Sequence, residues 1–188
     1  MGDDSDEAMW HGVIRGEARL YRLIWERHRD RVFLYLIRAG NAPVDAEDLT
    51  ATAFLELWRR RRSVRFVDGS LLPWLLVTAL NVHRNAARAE GRYRRFLEAL
   101  PPPRDEPDPA EVFDPMDAVR NARVREVMAS ARPADAHLLA MTVLEEMTLR
   151  EAAAALGLTE SAAKMRLSRL RARISAVIPA HPLAEGDL

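Results

Sequence analysis

Two helical periods separated by a single glycine leave few folds open to the stretch from Met147 to Ile174, MTLREAAAALGLTESAAKMRLSRLRARI. Thr148 and Glu151 have the spacing of a capping box, in which each residue satisfies an unpaired amide at a helix start. Leu149, Ala152, Ala153 and Leu156 then recur at i, i+3, i+4 and i+7, the period of one buried helical face. Gly157 stands where a left-handed residue, cheapest without a Cβ, ends such a helix. Thr159 is placed to cap the next helix, whose apolar line is Ala163, Leu167, Leu170 and Ile174. The other faces carry Lys164, Arg166, Arg169, Arg171 and Arg173, with no acid among them. Helix, short glycine turn and basic second helix are the parts of a DNA-reading helix-turn-helix. The same pattern also fits two packed amphipathic helices with a solvated basic face, so the rest of the chain has to decide.

The totals give 188 residues, room for one ordinary domain or two small ones, with 48% hydrophobic residues to fill cores. Twenty-eight basic residues balance 28 acidic ones, a net charge of zero that would ordinarily argue against a polyanion partner. The sum hides a segregation. Acid loads the N-terminus (Asp3, Asp4, Asp6, Glu7) and the stretch from Glu98 to Asp117, whereas base gathers at 59–65, 84–95 and 164–173. The absence of cysteine excludes disulfides and thiolate metal sites. No apolar run approaches the ~20 residues of a membrane span. The acidic N-terminus is unlike a secretory signal, so a cytoplasmic protein is expected.

Enzymatic constellations are missing. The glycines are dispersed, without a phosphate loop or dinucleotide fingerprint, and the five histidines are isolated from one another. Asp45, Glu47 and Asp48 are the densest carboxylates outside the acidic ends, but they sit at a helix start with no nucleophile or base beside them. They read as a charged contact surface. No enzyme, cofactor or metal is expected.

Along the chain, residues 1–16 read as a flexible acidic tail. Leu20 to Arg38 reads as a long helix, and a second helix follows with Asp45 as its N-cap. Leu49, Ala53, Phe54, Leu57 and Trp58 form the second helix's buried stripe. Ser63 to Ser70, with Asp68-Gly69, is a loop. A third helix runs from about Ser70 toward Arg95, tolerating Pro73 in its first turn. Its polar line, Asn81, Asn85, Arg88 and Arg92, suits hydrogen bonding to a nucleic-acid strand and equally suits an exposed surface helix. Residues 101–115, PPPRDEPDPAEVFDP, form a Pro-rich acidic linker, and Asp114-Pro115 has the pattern of a helix start. Helices near 116–131 and 133–146 lead into the opening stretch. The expected architecture is all-α: a tail (1–16), a helical domain (17–97), a linker (98–115), a helix-turn-helix domain (116–178) and a second tail (179–188).

In this order the parts resemble a bacterial RNA polymerase sigma factor of the extracytoplasmic-function (ECF) group, over residues 20–96 and 116–177. DAEDLTATAFLELW, Asp45 to Trp58, is similar to the segment that grips the clamp helices of the polymerase's largest subunit. PWLLVTALNVHRNAARAEGRYRR, Pro73 to Arg95, resembles the segment that melts and holds the minus-ten strand. The stretch from Glu145 resembles the helix-turn-helix that reads the minus-thirty-five element. Ala51 and Thr52 stand where the family usually has Gln-Glu, Ser161 to Ala163 where it has Gly-Thr-Val, and Asn85 where aspartate is common.

The resemblance implies a dissociable specificity subunit whose partners are core RNA polymerase and promoter DNA, with no membrane insertion. An anti-sigma protein often joins factors of this group. Asp45, Glu47, Asp48 and Leu49 would meet the polymerase. Lys164, Met165, Arg166, Ser168 and Arg169 would enter the major groove, with Arg171 and Arg173 on phosphates. Phe66, Asp68 and Ser70 would line the pocket for a flipped minus-ten base, and Asn81, Arg84, Asn85 and Arg88 would hold the strand. The rival is a helix-turn-helix regulator that does not engage polymerase.

Overall fold

The computed structural model describes residues 5–98, 123–124 and 126–178. They are helical, with no strand beyond a single bridge between Val67 and Ser70. Helix α1 spans Asp6–Ile14, α2 Ala18–Arg38, α3 Pro43–Arg59 and α4 Leu72–Glu98. After a helical stretch at 126–130 come α5, Pro133–Leu144, α6, Leu149–Leu156, and α7, Glu160–Val177. The all-α class agrees with the sequence reading. The expected linker and the Asp114-Pro115 helix start lie outside the described residues, save Glu98, which ends α4.

Residues 6–14 correct the expectation of a tail. Ser5 caps α1, accepting from the Ala8 amide at 3.2 Å, and Asp6 and Glu7 complement the helix dipole in its first turn. Asp6 and Glu7, half of the acid that suggested a solvated tail, are first-turn acid. Behind it Met9, Trp10 and Val13 make an apolar face, with Trp10 only 1% exposed. The start of α3 is corrected too. The helix begins at Pro43 with Ala42 as N-cap, so Asp45 lies within the first turn, where proline needs no amide partner.

The first core joins α1 to α4. Ile24, Val32, Tyr35 and Leu36 of α2 meet Ala53, Phe54 and Leu57 of α3 and Leu75, Leu76 and Ala79 of α4. Trp25 stacks edge-on against Phe54 at 4.5 Å, and the Tyr21 hydroxyl donates to the Phe54 carbonyl at 2.7 Å. Trp58 is 39% exposed and does not belong to the buried stripe. One residue beyond Leu57, it rotates off the core and rests at the rim, edge-on to Tyr21 with Arg61 over its ring.

The second core joins α5 to α7. Leu138 and Met141 pack with Ala152 and Ala153 of α6 and Ala163 and Leu167 of α7. Both halves of the Thr148–Glu151 capping box form. Gly157 ends α6 at φ +66°, and the Thr159 hydroxyl accepts from the Ala162 amide to start α7.

The two cores touch. Val77 of α4 packs on the second cluster, and Ala140, Leu144 and Met147 pack on the first. Between them lies Glu145, with a side chain 2% exposed, receiving Arg31 Nε at 2.9 Å and Arg38 Nη1 at 3.3 Å from α2. Arg38 also donates to the Leu144 carbonyl at 2.7 Å. Arg150 on α6 pairs with Asp68 of the α3–α4 loop at 3.1 Å.

Candidate nucleic-acid and polymerase faces

Helix α7 buries Ala163, Leu167 and Leu170, and the 3.6-residue period sends Lys164, Met165, Ser168, Arg169, Arg171 and Arg173 to solvent. Met165, 53% exposed, is an apolar contact on an otherwise polar face. Arg166 differs from its neighbours. It is half-buried and donates to Asp135 at the start of α5 at 3.0 Å, so its guanidinium already braces the domain. Arg173 donates to the Ser130 hydroxyl at 2.8 Å. Lys164, Ser168 and Arg169 are exposed polar groups in its first ten residues, after Glu160 and Ser161 at its start.

On α4, Asn81, Asn85 and Arg88 are exposed. Arg84 sits on the same helix but reaches the segment before α5, where its Nη2 donates to the Ala131 carbonyl at 3.0 Å. Burial lowers its pKa, with Arg88 adding to the effect. Beside it, His83 bonds through Nδ1 to the Asn41 amide oxygen at 2.7 Å, and burial followed by Arg84 lowers the pKa of that imidazole. Across the contact His137 is 2% exposed. Its pKa is lowered by burial and by Arg84, against the opposing pull of the Pro133 and Val77 carbonyls.

The loop before α4 ends in a tight hairpin. Asp68 at φ +50° and Gly69 at φ +75° form its two central residues, and Val67 and Ser70 exchange both backbone bonds. Asp68 is exposed, Phe66 rests partly buried on the first core, and Ser70 turns inward, its hydroxyl donating to Asp6 and accepting from the Leu72 amide. Trp74 also packs on that core. Asp45, Glu47 and Asp48 are exposed along one side of α3. Leu49, which the sequence places both in the buried stripe and on the polymerase face, is 8% exposed and belongs to the core.

The Sigma-70 region 2 family matches residues 24–93, which hold α3, the hairpin and most of α4. The ECF RNA polymerase sigma factor SigE of Mycolicibacterium smegmatis is 24% identical over 96% of this chain and 65% of its own length. The ECF sigma factor RpoE of Cereibacter sphaeroides is 23% identical over 93% of this chain and 100% of its own. Residues 24–93 thus carry a Sigma-70 region 2 domain, and over nearly its whole length the chain is similar to ECF RNA polymerase sigma factors. This chain thus spans just under two thirds of the mycobacterial relative and the whole of the other. In fold it is similar to CnrH in complex with the cytosolic domain of CnrY, with a TM-score of 0.56, 22% identity and coverage of 93% of this chain and 97% of that one. RpoE of Bartonella quintana in complex with the anti-sigma factor NepR gives 0.51, at 19% identity over 84% and 95%.

The matched family region begins at Ile24, so α1 lies outside it. Sequence reasoning missed α1's part in holding the hairpin, and it missed the Glu145 pairing with Arg31 and Arg38. Met9, Trp10 and Val13 at helical spacing were the available signal for α1. Nothing in the local pattern of Glu145 and Glu146 distinguishes an inter-domain acid from a solvated one.

Proposed function

We propose that this ECF sigma factor binds core RNA polymerase in the cytoplasm and directs promoter-specific initiation, without chemistry of its own. The N-terminal unit (17–97) engages polymerase and the minus-ten strand, and the C-terminal unit (116–178) reads the minus-thirty-five element. The observation that carries this reading is the outward set on α7, Lys164, Met165, Ser168 and Arg169, on a helix whose opposite face is closed by the second core. Arginine pairs bidentately with guanine in the major groove, and Arg169 is the free guanidinium at the right place for it. Arg171 and Arg173 fall further along, on phosphates, which position without specifying.

Asp45, Glu47 and Asp48 are offered to the polymerase from one side of α3. The hairpin with Phe66, Asp68 and Ser70 takes a flipped minus-ten base, while Asn81, Arg84, Asn85 and Arg88 hold the strand. Arg84 and Asp68 are tied to the C-terminal unit through Ala131 and Arg150, so strand capture requires the two units to part. An anti-sigma factor, as bound to the Bartonella RpoE, is a further partner in this reading.

Reconstitution tests it. Core polymerase with this chain should initiate at a distinct promoter class on genomic DNA, and the chain alone should bind duplex weakly. Failure to associate with core polymerase, together with stable binding to duplex as a free dimer, would replace the proposal with a polymerase-independent regulator.

A further inference from the structure

We propose that α1 is a clamp on the hairpin loop of residues 61–71, with Asp6 as its positioning residue. The inference rests on the reading that this loop takes the minus-ten base. A two-residue hairpin is marginal in isolation, and its own two backbone bonds do not fix its place on the domain. Helix α1 supplies what the turn lacks. Oδ2 of Asp6 accepts from the Leu71 amide at 2.8 Å and the Ser70 hydroxyl at 3.3 Å, and meets His28 Nε2 at 2.7 Å. Oδ1 accepts from Arg27 Nη1 at 3.0 Å. The Glu7 amide donates to the Gly69 carbonyl at 3.2 Å, and one turn on, Trp10 Nε1 donates to the Arg61 carbonyl at 2.9 Å. Positions 6, 7 and 10 lie on one face of α1, and together they hold both feet of the loop.

The carboxylate is built into this place. Asp6 is 3% exposed, and burial alone would raise its pKa. The bonds from His28 and the Leu71 amide, and then Arg27, outweigh burial and hold it at about 2. An ionised group buried with its acceptor sites filled is costly to dislodge. A base that leaves the stack is captured only as well as its pocket is ordered beforehand, so a loop held by α1 discriminates bases that a free loop would not. Ser70 links the two roles, since the same hydroxyl donates to Asp6 and accepts from the Leu72 amide at the start of α4.

The test uses the full chain, free and as holoenzyme with core polymerase, with genomic DNA as template. Transcript starts give the base preference at the captured minus-ten position, and hydrogen exchange follows the amides of residues 67–71. Asp6→Ala should speed exchange at the Leu71 amide about tenfold or more and flatten the base preference by a similar factor, with polymerase association unchanged. Asp6→Asn, which keeps an acceptor but not the charge, should fall between. Trp10→Phe keeps a buried ring and loses only the bond to Arg61, so it reports in the same direction if Asp6→Ala fails to fold. Val13→Ala, on the same helix without a bond to the loop, should lower thermal stability and leave both readouts as they are. If Asp6→Ala and Trp10→Phe behave like Val13→Ala, the clamp is overturned. If Phe66→Ala and Asp68→Ala also leave the base preference intact, the base-capturing role of the loop falls with it; if they abolish the preference, the clamp alone falls.

Discussion

Removal of Arg31 and Arg38 should part the two units. Glu145 has 2% of its side chain exposed and receives both guanidiniums, which are themselves about half exposed at 54% and 53%. Arg31→Ala leaves Arg38 on the carboxylate, and the lost bond to a half-solvated partner is worth about 1 kcal/mol. The double variant leaves a buried carboxylate with no cation, which costs ~3–5 kcal/mol if the group stays buried. It need not stay buried, because separation hydrates it. The loss therefore comes out of the docking of one unit on the other. The open fraction should rise about 5-fold for Arg31→Ala and by roughly two to three and a half orders of magnitude for the double variant, at 1.4 kcal/mol per tenfold. The chain has no cysteine, so Arg19→Cys on α2 and Ser175→Cys on α7 can carry an energy-transfer pair at exposed positions. The double variant should show a growing long-distance population, and Arg22→Ala, which removes the exposed Arg22–Glu26 pair, should not. An unchanged distance distribution in the double variant, at low and high salt alike, would refute the idea that Glu145 holds the units together.

Acid should weaken the same contact. His83 and His137 both have pKa values lowered from 6.5 by burial, so the folded chain prefers them neutral. The stability this carries is complete above the unfolded value and is lost as pH falls from there toward the folded values. The urea midpoint should thus drop as pH falls below 6.5, and His83→Gln with His137→Gln should flatten the curve. Charge reversal separates the two binding faces: Arg169→Glu should reduce dependence on the minus-thirty-five element about tenfold or more with polymerase binding intact, and Asp48→Arg should do the opposite. Loss of the same activity in both variants would contradict the division of labour. Gly157→Ala places a Cβ at φ +66° and 3.0 Å from Arg65 Nη1, the mobile end of a side chain, so backbone strain of about 1 kcal/mol dominates and the melting temperature should fall by roughly 3 °C.

Local pattern made the C-terminal half legible. The Thr148–Glu151 box, Gly157 and the Thr159 cap are each decided within four residues, and all three form as the spacing implies. Helices α2 and α4 were equally plain from period alone. What local pattern could not carry was anything set by a partner distant in the chain. Asp6 reads as one more acid in a polar tail until Leu71, 65 positions on, turns its amide toward it. Trp58 goes to the wrong side, and Leu49 to both, because a contact surface and a core stripe meet along α3, where one residue's rotation exchanges them. Arg166 reads as a groove residue from its place on α7, and only the proximity of Asp135 commits it to the fold.

The zero net charge acquires a meaning from these pairings. A reader of DNA gains affinity by neutralising phosphates, and each phosphate contacted adds about 0.9 to the salt dependence of binding on duplex and about 0.7 on a single strand. In the docked arrangement the cations that could do so are partly spent within the chain: Arg84 on Ala131, Arg150 on Asp68, Arg31 and Arg38 on Glu145. Asp68 and Glu145 meanwhile lie against arginines and not against a strand. Parting the units releases Arg84 to the minus-ten face and leaves the α7 cations as they were, so the surface offered to DNA grows more basic without any change in composition. On the proposed function, the balance of 28 acids against 28 bases would keep the free chain a poor binder of polyanions, and polymerase binding that holds the units apart would make it a good one. The slope of log affinity against log salt should accordingly be steeper for the Arg31→Ala, Arg38→Ala double variant than for the parent chain on the same single-stranded minus-ten DNA, even though the variant carries two fewer positive charges. A shallower slope would mean that the arginines on Glu145 contact the strand themselves.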